Sequence, residues 1–89
     1  MKYKIVYSKE YQKAIKKLSQ NDLRLVEEVL EKLANGKTLE ARHKDHKLKG
    51  SLKGLRECHI KPDLLLIYDK KEELLILKAI SIGTHSEIF

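Results

Sequence analysis

Eighty-nine residues and 10.4 kDa allow one domain, because a chain this short buries only about 60–65% of its unfolded surface in a single modest core. That excludes a two-lobed enzyme with a cofactor cleft between lobes. With 42% hydrophobic and 36% charged residues, one Pro and four Gly, the composition is globular rather than disordered, fibrous or repetitive. The net charge of +6 sits in two blocks: residues 1–21 and 36–62 each carry a net +5, while 22–35 and 63–89 each carry −2. Such blocks are the electrostatic footprint of a polyanion binder, RNA or DNA, although a solvated lysine-rich surface has the same composition. No apolar run approaches the roughly 20 residues of a membrane span. The N-terminal MKYKIVYSKEYQKAIKK lacks the apolar region and cleavage site of a signal peptide, and Cys58 is the only cysteine. A reduced, cytoplasmic protein without an internal disulfide is therefore expected.

In chain order, Tyr3–Tyr7 alternates and is β-branched and aromatic, which predicts a strand. Ser8 is placed to cap a helix whose apolar stripe is Tyr11, Ala14, Ile15 and Leu18. Ser19-Gln20-Asn21-Asp22 breaks it and caps a second, built on Leu23, Val26, Val29, Leu30 and Leu33 and stopped at Asn35-Gly36. Residues 36–53 read as loop with a short strand near Leu48. Strands follow at Leu55–Ile60, Leu64–Tyr68 and Leu74–Ile82, with a turn at Lys61-Pro62-Asp63 and a charged hairpin loop at Asp69–Glu73. Gly83–Phe89 reads as a tail. The order βααβββ predicts one α+β domain over residues 1–89: a mainly antiparallel sheet with an N-terminal two-helix hairpin packed on one face.

The chemistry-bearing residues gather in the second half. Alternation puts Leu55, Glu57 and His59 on one face of their strand and Arg56, Cys58 and Ile60 on the other. With the helices on the second face, Glu57 and His59 point to the open side, and Asp63 follows at the same end of the sheet. Histidine gives or takes a proton near neutrality, so His46, His59 and His85 in a basic domain suit RNA cleavage without metal. One group would deprotonate the ribose 2′-hydroxyl, another would protonate the leaving 5′-oxygen, and Lys or Arg would stabilise the phosphorane. Plainer roles compete: His46 as a solvated loop residue, His59 as a structural hydrogen-bonding group, Glu57 as the partner of a lysine, and His85 as mobile tail. A zinc site from His46, His59, Asp63 and His85 has suitable ligand types but no compact ligand spacing and no Cys pair. Cys58 reads as a buried, inert thiol.

Three motifs stand in order: K-D-H-x-L-x-G at 44–50, R-[DE]-x-H-x-x-P-D at 56–63 and G-[ST]-H-x-x-[LI]-F at 83–89. With them the chain resembles the YafQ branch of the RelE superfamily of bacterial toxins, which share a fold with small microbial ribonucleases. The resemblance implies an mRNA-cleaving endoribonuclease (mRNA interferase) that acts on message in the ribosomal A site and needs no cofactor. It implies mRNA, ribosomal RNA and a cognate antitoxin as partners, with operator DNA reached only through the antitoxin complex. It places catalytic residues at His46, His59, His85, Glu57 and Asp63, with Asp63 orienting a histidine and holding its tautomer, and a base-stacking aromatic at Phe89. Glu57 stands where some members have Asp. Lys44, Lys47, Lys49 and Lys53 are expected to hold RNA near the site. Arg56 is either a phosphate ligand or half of a structural salt bridge. A non-catalytic RNA- or DNA-binding module on the same scaffold is the alternative.

Overall fold

In the computed structural model, which describes residues 2–89, two serines set where the N-terminal helices begin. Strand β1 (Lys4–Tyr7) reaches helix α1 (Lys9–Ala14) through Ser8. The Ser8 Oγ accepts from the Tyr11 N–H at 3.0 Å and donates to the Ile80 carbonyl at 2.6 Å, so it caps the helix and ties the turn to the sheet. The expected stripe through Leu18 is not one α-helix. Ile15–Lys17 tighten into a 3-10 turn and Leu18 is extended. Ser19 explains the break: it is the N-cap of α2 (Gln20–Ala34), where the backbone must be extended, and its Oγ accepts from the Asp22 N–H at 3.1 Å. Helix α2 ends where Asn35-Gly36 predicts. Gly36 has φ +77°, its N–H reaches the Leu33 carbonyl, and the Lys37 N–H reaches that of Lys32, a Schellman motif.

The sheet has five strands in the order β1-β5-β4-β3-β2. Strands β2 (His46–Lys47), β3 (Arg56–Lys61), β4 (Leu64–Lys71) and β5 (Ile76–Gly83) form an antiparallel meander, and β1 joins the far edge parallel to β5. The short strand expected near Leu48 lies just before it, at His46–Lys47. The hairpin loop is shorter than expected: β4 runs on to Lys71, and only Glu72–Leu75 turn. The charges of Asp69–Lys71 do not stop the ladder because they are satisfied at the surface. Lys71 Nζ pairs with Asp69 at 3.1 Å, and Lys70 Nζ lies 5.0 Å from the Tyr3 ring centroid.

Tyr11, Val26, Leu30 and Leu33 of the helices pack with Cys58, Leu66, Tyr68, Leu77 and Ala79 in one core. Leu65 and Ile67, which alternate with these on β4, are buried on the opposite face, as the unbroken LLLIY run predicts. The segment expected as a tail is ordered. Gly83 closes β5, and His85–Ile88 form α3 under a capping box, with Glu87 Oε1 accepting from the Thr84 N–H at 2.8 Å and Thr84 Oγ1 from the Glu87 N–H at 3.3 Å. No helix among the described residues is long and apolar enough to cross a membrane.

Truncating the fully buried Leu30 to Ala is expected to cost about 2–5 kcal/mol in urea unfolding with an unchanged m-value. Burial also pushes the Cys58 thiol and the Tyr11 phenol up to about 12, against 9.0 and 10.0 for the free groups. Between those limits the unfolded chain binds fewer protons than the folded one, so stability falls as pH rises above 9.0. Unfolding midpoints measured upward from that pH should decline, and more shallowly in Cys58→Ala. A flat alkaline profile would contradict the burial of these groups.

Candidate active site

The two-residue strand β2 pairs His46 directly opposite Glu57, and Glu57 and His59 are two apart on β3. Directly paired residues and alternate residues share a face. One face therefore carries all three. Glu57 Oε1 stands 3.7 Å from His46 Nε2 and 3.5 Å from His59 Nε2. Glu57 is only 6% exposed, whereas an open, outward position was expected. The difference arises because Glu57 lies mid-sheet, opposite buried Ile67, with an imidazole on either side. A carboxylate without water needs partners, and both imidazoles become cations when protonated.

The chain before β2 fixes the His46 ring. Its Nδ1 is 2.6 Å from the Lys44 carbonyl. A carbonyl only accepts, so Nδ1 carries the proton, and in the neutral ring the lone pair is on Nε2, the atom facing Glu57. Lys44 adopts φ +46°, ψ +44°, left-handed geometry that costs a non-glycine residue roughly 1–2 kcal/mol. Strain of this kind collects at functional sites. Asp45 holds the turn from the other side of the sheet: its Oδ1 accepts from the Tyr68 hydroxyl at 2.6 Å and from Arg56 Nε at 3.3 Å. Tyr68 is fully buried, and burial, reinforced by the bond to Asp45, holds its phenol far above the usual range.

Arg56 is thus the structural half of the sequence alternative, ion-paired with Asp45 on the face opposite Glu57. Lys47, Lys49 and Lys53 also lie away from the histidines. Together with Arg56, Lys70 and Lys71 they line a cleft of about 1170 Å³. Alternation explains this for Lys47, which pairs opposite Arg56. Of the four lysines, Lys44 touches the His46 ring, through its backbone carbonyl, and its side chain is exposed. Lys70 and Lys71 were missed by sequence reasoning because their strand was cut short at Tyr68. Extending its alternation puts Lys70 on the face of Tyr68 and would have found it, whereas Lys71, one residue on, alternates to the other face.

His85 and Asp63 meet, though not ring to carboxylate. Asp63 Oδ1 accepts the His85 backbone N–H at 3.3 Å, so it anchors the start of α3 rather than orienting an imidazole. That free N–H at a helix start is what a carboxylate suits. The His85 ring lies 5.2 Å from that of Phe89, tilted 43°, and both are exposed. Register links this group to the first: His59 opposes Leu65, and Leu65 opposes Gly83, two residues before His85. His59 and Gly83 are therefore two strand spacings apart, about 10 Å. Among the described residues no three His, Cys, Asp or Glu side chains gather as a metal-binding set.

Residues 3–89 match the family described as "Bacterial toxin of type II toxin-antitoxin system, YafQ". The chain is 36% identical over 88 residues to the mRNA interferase toxin YafQ of Escherichia coli K12, covering 96% of this chain and 94% of that protein. A metal-bound toxin from Helicobacter pylori is similar in structure, with TM-score 0.88 and 45% identity over 98% of this chain and 99% of its own. YafQ in the E. coli DinJ-YafQ toxin-antitoxin complex is similar too, with TM-score 0.79 and 34% identity over 100% and 99%. With a carboxylate between two imidazoles on the sheet and a third imidazole at its end, on this sequence and this fold, the chain belongs to the YafQ family of type II toxin-antitoxin toxins.

Proposed function

We propose that this chain is an endoribonuclease of the mRNA-interferase kind, cutting message in the ribosomal A site by metal-free attack of a ribose 2′-hydroxyl on the adjoining phosphate. The observation that carries this reading is His46, with Nδ1 committed to a carbonyl and Nε2 facing a buried carboxylate. That is a base whose protonated form has a counter-charge waiting. His46 takes the 2′-hydroxyl proton, the 2′-oxygen bonds to phosphorus, and the bond from phosphorus to the 5′-oxygen breaks. His85, across the sheet from His46, gives the leaving 5′-oxygen its proton. The products are a 2′,3′-cyclic phosphate and a 5′-hydroxyl. His59, whose Nε2 is 3.5 Å from Glu57, meets the charge that builds on the phosphorane. Asp63 serves by fixing α3, and Phe89 offers a ring on which a base stacks.

Lys44 steers the scissile strand. Lys47, Lys49 and Lys53 face away from the histidines, so their place is on the backbone of a second RNA segment, that of the ribosome. The toxin acts in the cytoplasm and is neutralised by a cognate antitoxin, as the DinJ-YafQ complex of a relative suggests; operator DNA is reached only through that complex. The alternative, a binding module without cleavage, predicts that the histidines are dispensable.

Single replacement of His46, His59 or His85 by Ala should lower cleavage of ribosome-bound message by about 10²–10⁴-fold, with EDTA without effect on the parent. Variants that all cut as well as the parent would remove these histidines from the chemistry, and a parent that binds ribosomes but cuts nothing would leave only the binding module. Replacing Lys47 and Lys49 together with Ala should flatten the dependence of log affinity on log salt by about 0.7–0.9 per lysine. Ribosome binding measured across a salt series checks it, and an unchanged slope would remove these lysines from the RNA contact.

A further inference from the structure

Four histidines occur, and the acid–base scheme leaves one unused. His43 closes the 3-10 turn Ala41–His43, is 5% exposed, and places Nδ1 2.6 Å from the backbone carbonyl of His59. The carbonyl can only accept, so the ring donates from Nδ1. The contact falls where β3 is least supported. β2 supplies partners for Arg56 and Glu57 only, so beyond Glu57 that side of β3 has no strand neighbour among the described residues. On its other side the ladder slips directly after His59: His59 opposes Leu65, while Lys61 opposes Leu64. A bulge disrupts pairing and re-aims side chains. Here it adjoins the residue whose imidazole must face Glu57 at 3.5 Å. The His43 ring does at this point what a longer β2 would do.

We propose that His43 is a positioning residue. Its Nδ1–H bond to the His59 carbonyl fixes the β3 backbone beside the bulge, and through it the direction of the His59 imidazole toward Glu57 and the scissile phosphate. The consequence for rate rests on the acid–base reading above. A side chain that merely filled space could be exchanged for any group of similar volume. The geometry instead asks for a donor at the Nδ1 position. Asn and Leu have nearly the same shape, and of the two only Asn carries such a donor.

The test compares His43→Asn with His43→Leu in cleavage of a defined message on ribosomes, alongside nitrogen-15 spectra of the histidine rings. His43→Leu should lose about 10–100-fold in kcat with KM within about twofold, and His43→Asn should recover most of that loss. Parental kcat in a folded Leu variant, or equal loss in both variants, overturns the proposal. Should the Leu variant fail to fold, the unmodified protein decides: a proton on His43 Nδ1 supports the proposal, and a bare Nδ1 overturns it. If the parent cuts no RNA, it is the acid–base reading that fails. Positioning is then read from the His59 ring resonances. They should move in the Leu variant and not in the Asn variant, and resonances unmoved in both overturn it.

Discussion

Four consecutive residues, His43 to His46, hold one end of the sheet in working order, and each binds a different part of it. His43 bonds the His59 carbonyl, Lys44 offers its own carbonyl to His46, Asp45 takes the Tyr68 hydroxyl and Arg56, and His46 faces Glu57. A two-residue strand has almost no ladder of its own, and these side-chain bonds stand in for it. The left-handed backbone at Lys44 lets neighbouring residues reach opposite faces of the sheet. Strain there is tolerable because the flanking bonds over-determine the turn.

The period-two alternation of β3 divides the molecule's tasks. Glu57 and His59 turn one way with the imidazoles. Arg56 and Cys58 turn the other, into a half-buried network and the helix-packed core. The Tyr68–Asp45–Arg56 group is satisfied internally, and no buried side-chain nitrogen or oxygen among the described residues lacks a partner. That network joins the strand bearing the candidate site to the cleft of lysines behind it. One sheet thus carries imidazoles on one face and, beside the helices on the other, a cleft lined by lysines with Asp45, Glu72 and Glu73 among them.

Much of this was legible in the sequence because it is local. Ser8, Ser19 and Asn35-Gly36 mark helix ends by interactions spanning a few residues, and alternation alone separates Glu57 from Arg56. Asp63 was legible as a site residue that orients a histidine, but not its actual bond, from carboxylate to the His85 backbone across 22 positions. Register was the main loss. Nothing local says that His46 opposes Glu57, that Asp45 meets Tyr68 23 positions on, or that His43 reaches His59. The burial of Glu57 was hidden for the same reason, since it depends on what the neighbouring strands place beside it. The Thr84–Glu87 capping box was visible as T-x-x-E, and a reading of those residues as tail passed over it.

The chemistry assigned to the three imidazoles turns on the identity of the nucleophile. A message carrying one 2′-deoxyribose immediately 5′ to the scissile phosphate, loaded in the ribosomal A site with the toxin, asks the question directly. The expected result is full binding with no cut at that bond, while the all-ribose control yields a 2′,3′-cyclic phosphate and a 5′-hydroxyl. Cleavage of the deoxy-substituted bond at the control rate would contradict it, because no hydroxyl would then have been needed for His46 to deprotonate.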